Sequence, residues 1–230
     1  MKLLPLSKSE HVFRLEPWHT KGRRSNNCYA YAVNDYETYR TSKSVPGERS
    51  GKRWPFHTYT HCKGLAKRVI ADNPKKVYKE KATKKCKPGF YKIMMVVAPS
   101  NKYGNLTGDF HFYKQHGEVA YKMKEGDTYL SVSKKFGVPY SRILKAADKK
   151  KAKPGRRLRF KANIFSHKQG WATGPLVKDA CGKVIRDPRK SCRNYGYNYS
   201  KYCCSFCVKN RGINVGNSHT NIFKNRLKVI

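Results

Sequence analysis

Acid is what this chain has least of. Fourteen Asp and Glu stand against 51 Lys and Arg, a formal net charge of +37 over 230 residues. Self-repulsion on that scale costs stability unless counter-ions or an anionic partner absorb it. Nucleic acid, an acidic glycan surface and an acidic protein assembly are the candidate neighbours. Long apolar runs are missing too. The longest, Ile93–Ala98, fits a buried strand and falls far short of the roughly 20 residues that span a bilayer. No membrane span is expected. Met1–Leu6 is too short, and too interrupted by Pro5, for a signal-peptide core, so a non-secreted product is the default expectation. Nor does any one helix concentrate the basic residues into a recognition element. Clusters such as Lys149–Lys151 and Arg156–Arg157 are scattered, which favours non-specific attraction to a backbone or embedding in an anionic assembly over sequence readout.

A hydrophobic fraction of 38% with 13% aromatics is that of a folded chain, long enough for one core plus a small module. The module is expected over 118–162. It runs as a strand (Val119–Met123), a turn (Glu125–Thr128), a helix, a Gly137-Val138-Pro139 turn, a second helix, a Pro154-Gly155 turn and a strand (Arg157–Phe160). Tyr129, Val132, Ser133 and Phe136 fall at i, i+3, i+4 and i+7, as do Tyr140, Ile143, Leu144 and Ala147. Fourteen basic and four acidic residues lie in this segment, so it carries +10 and shares the charge of the whole.

Around it, residues 1–117 and 163–230 supply a host domain. A polar arm runs to Ser25, and a helix starts with Asn27 as N-cap and Cys28 in its first turn. A Gly/Pro/Ser loop follows, then a helix over Tyr59–Asp72 and strands over Phe90–Ala98 and Gly108–Gln115. Ile164–His167 reads as the strand that forms a hairpin with Phe110–Lys114. Inserting a module whose outer strands pair antiparallel at such a hairpin tip disturbs the host little.

A cysteine in a first helical turn has its thiolate stabilised by the helix N-terminus. A histidine on an adjacent strand can serve as base, and a third polar group can orient the imidazole. Cys28, His111 and His167 meet this logic in chain order. Asp109 is the rival orienting group, but on the same strand face it points alongside His111. Five of the eight cysteines lie in 181–207. The Cys204–Cys207 CxxC pair, with Cys181 and Cys192, could form a four-thiolate structural zinc site; disulfides and free buried thiols are the alternatives. His57 and His61 are spaced as a metal pair or as two exposed polar residues. Tyr195, Tyr197 and Tyr199, interleaved with basic residues, suit base stacking or, better, a Tyr-rich strand edge or interface.

Two resemblances add to this reading. "GDTYLSVSKKFGV", "ILKAAD" and "PGRRLRF" resemble a LysM domain, a module that usually binds N-acetylglucosamine polymers. That resemblance implies a glycan groove walled by Gly126, Asp127, Thr128, Tyr129 and Asp148. Asp148 stands where that family often has Asn, and the Lys149–Lys151 run after it suits an anionic partner better than a neutral sugar chain. "NNCYAYAVND", "CKPGFYKIMMVVA", "GDFHFYKQ", "SHKQGWATGPLV", "GKVIRDP" and "YCCSFCV" resemble proteins of bacteria and large DNA viruses built on a papain-like, cell-wall-peptidase scaffold. This second resemblance covers nearly all of 25–208 without the insert. It implies Cys28 as nucleophile, His111 as base and His167 as third member. The expectation is an α+β protein, a papain-like host with an antiparallel sheet interrupted by a βααβ LysM-like module. Its expected role is a strongly basic virion-associated structural protein, a minor capsid or core component among acidic virion partners. The alternatives are an active cysteine peptidase or amidase on cell-wall material, and a non-specific nucleic-acid binder; a cytoplasmic location is the alternative to the virion.

Overall fold

The computed structural model describes residues 3–52, 60–99, 108–148 and 150–216. Its centre is a strand saturated with apolar side chains. Phe90–Ala98 (β2, following β1 at Val77–Glu80) is buried along almost its whole length. Side chains alternate across a strand. Ile93, Met95 and Val97 therefore enter one core, and Met94, Val96 and Ala98 enter another on the opposite face. A strand buried on both sides must be internal, and it is. Asp109–Lys122 (β3), Arg157–His167 (β4) and Lys201–Lys209 (β5) complete an antiparallel five-stranded sheet in the order β1-β5-β2-β3-β4.

The first core is covered by two helices, Cys28–Ala32 (α1) and Cys62–Asp72 (α2). Asn27 caps α1 as expected. Its side-chain oxygen accepts from the Ala30 N–H at 3.2 Å, while its amide donates to the Ser44 carbonyl at 2.7 Å. The second helix begins at Cys62, with His61 as N-cap; Tyr59 and His57 lie outside the described residues. Its buried Asp72 accepts from the Tyr29 hydroxyl at 2.9 Å and the Gly47 N–H at 2.8 Å, tying α1 and the 44–50 loop together.

The expected hairpin forms, with Tyr113 opposite His167, Lys114 opposite Ser166 and His116 opposite Ile164. After a register shift between His116 and Glu118 the same two strands continue, pairing Val119 with Phe160 and Tyr121 with Leu158. Residues 118–162 are thus an extension of β3 and β4. Their helices are Tyr129–Phe136 (α3) and Tyr140–Ala147 (α4). Thr128 and Ser131 form a reciprocal capping box on α3, and Gly137 closes it in a left-handed conformation at φ 60°. Val132, Phe136, Ile143 and Ala147 bury against Tyr121, Leu158 and Phe160. Tyr140 and Leu144, expected on the apolar stripe, are exposed.

The N-terminal segment is more than a polar arm. Leu4 enters the second sheet core, Trp18 packs edge-on against Tyr31, and Phe13 pairs as a short parallel bridge with Val119. Phe13 also contributes to the core under α3 and α4.

Candidate active site

Among the described residues the β3–β4 ladder ends at Tyr113, so residues 109–112 form a strand edge outside that ladder. Cys28, in the first turn of α1, sits at that edge. Its thiol donates to the Phe110 carbonyl at 3.8 Å and receives the Phe112 and Tyr29 N–H groups. His111 points to the other side of this edge, opposite Val96, on the face away from Phe110 and Phe112. His167, opposite Tyr113, is its diagonal neighbour on that face. A cavity of about 510 Å³ reaches Cys28, His111 and Asp109, with Lys43, Tyr195 and Tyr199 on its walls.

The hydrogen bonds specify the imidazole tautomers. His167 Nε2 lies 3.1 Å from the Lys178 carbonyl, which can only accept, so Nε2 carries the proton. His167 Nδ1 is then an acceptor, and His111 Nε2–H donates to it at 2.9 Å. His111 Nδ1 is left with a lone pair, and it makes no hydrogen bond among the described residues. A relay anchored on a backbone carbonyl thus holds His111 in the form a general base needs. Asp109 does not join it. Its carboxylate accepts from the Tyr199 hydroxyl at 2.7 Å and the Phe110 N–H at 2.8 Å. The hydrogen-bond partner of His111 is His167, not Asp109.

Electrostatics overturn one expectation. The helix start was expected to lower the thiol pKa, but burial pushes it up to about 12, with the Asp109 carboxylate adding to the shift. The Phe112 N–H and the Lys168 ammonium oppose this without prevailing. A five-residue helix has little dipole to set against complete desolvation. Burial likewise holds His111 well below its usual range and His167 down to about 4. Both imidazoles are neutral at pH 7 and the thiol is protonated.

Those shifts set a pH dependence. A histidine with a depressed folded pKa leaves stability intact above the unfolded value of 6.5 and removes it as pH falls towards the folded value. For His167, buried and shifted to about 4, the loss is on the order of 3 kcal/mol. Buried His111 and His116 and half-buried His11 shift the same way. The urea midpoint is expected to fall steeply between pH 6.5 and 4.5. A flat midpoint across that window would contradict the buried neutral imidazoles.

The four cysteines grouped as zinc ligands are not brought together. Cys181 bonds to Cys192, Cys207 bonds to Cys86, and Cys204 is a free, half-buried thiol. A third bridge joins Cys62 to Cys203. Asp179, Cys181 and Cys192 do cluster as a metal site would, but the donor set does not fit one. The two sulfurs are spent on each other, and the Asp179 oxygens accept from the N–H groups of Cys181, Lys183 and Cys192. Disulfides, the alternative to zinc, take six of the eight cysteines.

In the inserted segment, Tyr129 ties together the two turns expected to wall a groove, its hydroxyl donating to the Lys150 carbonyl at 2.5 Å. Asp127 is turned inward, accepting from the Tyr121 hydroxyl and the Lys124 N–H, both at 2.7 Å. Thr128 is consumed by its cap, Gly126 borders open space, and Asp148 ends α4 in a left-handed conformation.

All three tyrosines of the 194–199 run line the Cys28 cavity, a role the sequence did not reveal. Tyr195 packs against the His167 ring at 4.7 Å, and Tyr199 against the His111 ring at 5.0 Å. The Lys178 carbonyl was equally invisible, being backbone. Comparison with protein-family models, with curated proteins and with solved structures finds no match.

Proposed function

We propose that this chain is a thiol hydrolase of papain-like type, acting on peptide or amide bonds and carried as a strongly basic component of a large DNA virus particle. The observation that supports it most is the relay from the Lys178 carbonyl through His167 to His111, which leaves His111 one basic nitrogen, with His111 and Cys28 lining the same cavity. In the resting state the thiol bonds to the β3 backbone and is not hydrogen-bonded to His111. Catalysis then starts from a neutral pair. Substrate entry draws the thiol off the strand edge, its proton passes to His111 Nδ1, and the sulfur attacks the carbonyl carbon. The protonated His111 gives that proton to the leaving amine, and water hydrolyses the thioester. LysM-type glycan attachment through residues 126–129 and 148 belongs to the same reading, as a tether beside the cavity.

Three disulfides suit an exported or particle-borne protein better than a reducing cytoplasm. A purely structural role is the second reading, and the raised thiol pKa favours it. A peptidyl acyloxymethyl ketone, which needs an activated thiol, separates the two. We expect mass spectrometry to find its adduct on Cys28, with simple iodoacetamide alkylation still rising at pH 10. Absence of the ketone adduct in the folded protein would leave only the structural role.

A further inference from the structure

The cavity at Cys28 does not end there. Gln169, Ala172 and Tyr195 line both it and a neighbouring depression of about 1010 Å³. That depression in turn shares Leu15 and Lys124 with a third, of about 750 Å³, beside the distal ends of β3 and β4. The three form one trough from the thiol to the inserted segment.

Its charge is one-sided. Arg23, Lys124, Lys135 and Lys178 line the middle portion, and Arg14, Lys122, Arg157 and Arg159 join Lys124 along the far one. The carboxylates there are already engaged. Asp179 accepts three backbone N–H groups, and Glu16 accepts from the Thr20 hydroxyl at 2.6 Å. Glu118 pairs with Arg159. Among the described residues, Arg14, Lys122, Lys124 and Arg157 form no ion pair, and all four are exposed. An elongated depression that carries an excess of cations along its middle and far portions and opens onto a thiol selects a linear anionic ligand with an acyl carbon to offer.

We propose that the trough binds an extended acidic polypeptide, a run of Asp and Glu lying along β3 and β4 and leading its neighbouring bond into the Cys28 cavity. Arginine forks match carboxylates in pairs, and Tyr195 at the junction offers a flat face to a peptide backbone. The assignment of the cavity end rests on the hydrolase reading; the binding of the acidic run does not.

The test is fluorescence anisotropy on the full-length chain carrying Cys28→Ala, so that nothing is cleaved. Three probes are compared at 0.15 M salt: a Glu/Asp-rich peptide, its Gln/Asn counterpart, and single-stranded DNA of equal charge. The acidic peptide is expected to bind at least about tenfold tighter than its neutral counterpart. Lys124→Glu with Arg157→Glu should abolish that preference. Lys63→Glu with Lys79→Glu, an equal charge change at exposed sites outside the trough, should leave it intact. Equal loss from both pairs, or a preference for DNA that the trough pair alone removes, would overturn the proposal. Trough-dependent peptide binding without a ketone adduct on Cys28 would sink the hydrolase reading and leave the trough standing. The converse would remove the trough alone.

Discussion

Replacing His111 by alanine is expected to slow formation of the Cys28 ketone adduct by about 10²–10⁴-fold, the range of a lost general base. The thiol is protonated and shifted to about 12, so no standing thiolate supplies residual reactivity. His167→Ala should fall between the two proteins, because it frees His111 to adopt either tautomer and removes the acceptor at 2.9 Å. His167→Gln, whose amide oxygen can still accept from His111 Nε2, should recover most of the rate. The pH profile separates this account from mere disruption. The wild-type rate should fall as pH drops through the depressed His111 pKa, and His111→Ala should lose that acid limb. An unchanged rate in folded His111→Ala would mean that the imidazole has no part in activating the thiol.

The second large effect concerns stability. Cys62–Cys203 and Cys86–Cys207 span 141 and 121 residues and both end on β5, holding it to α2 and to the loop after β1. By the entropy of loops that long, each bridge contributes about 5 kcal/mol. The double substitution Cys86→Ser with Cys207→Ser is expected to lower Tm by roughly 10 °C or more for a chain of this size. Cys181–Cys192 closes only 11 residues and its removal should cost about half as much. That bridge nonetheless sets the Cys181 and Cys192 N–H groups that bind Asp179, next to the Lys178 carbonyl, so its loss should be felt in adduct formation at Cys28 more than in Tm. A double variant melting within a degree or two of wild type would show that β5 is held by packing alone.

Much of this was legible because the signals were local. The Asn27 cap, the apolar run of β2, the Gly137 stop and the α3 stripe each act within a few residues. The grouping of Cys28, His111 and His167 followed from one helix start and one hairpin. What was illegible depends on distance or depth. Tyr195 and Tyr199 reach the imidazoles from more than 80 residues beyond His111, and no local pattern marks them for it. Cysteine spacing does not determine pairing, so Cys204-Ser205-Phe206-Cys207 looked like a zinc half-site although its second cysteine bonds to Cys86. The thiol pKa was misjudged for a similar reason. A first-turn position is visible in sequence, whereas burial among α1, β2 and β3 belongs to the whole fold.

The shared strands bear on how this architecture could be inherited or re-engineered. Because β3 and β4 run unbroken from His111 and His167 into residues 118–162, that segment is no cassette to be lifted out at its ends. Excision would cut the ladder that sets the imidazoles and would strand Phe13, whose bridge lies beyond the cut. The natural seam is the register shift between His116 and Glu118. A graft joined there, with a replacement hairpin that restores an apolar partner for Phe13, is the exchange this backbone can absorb.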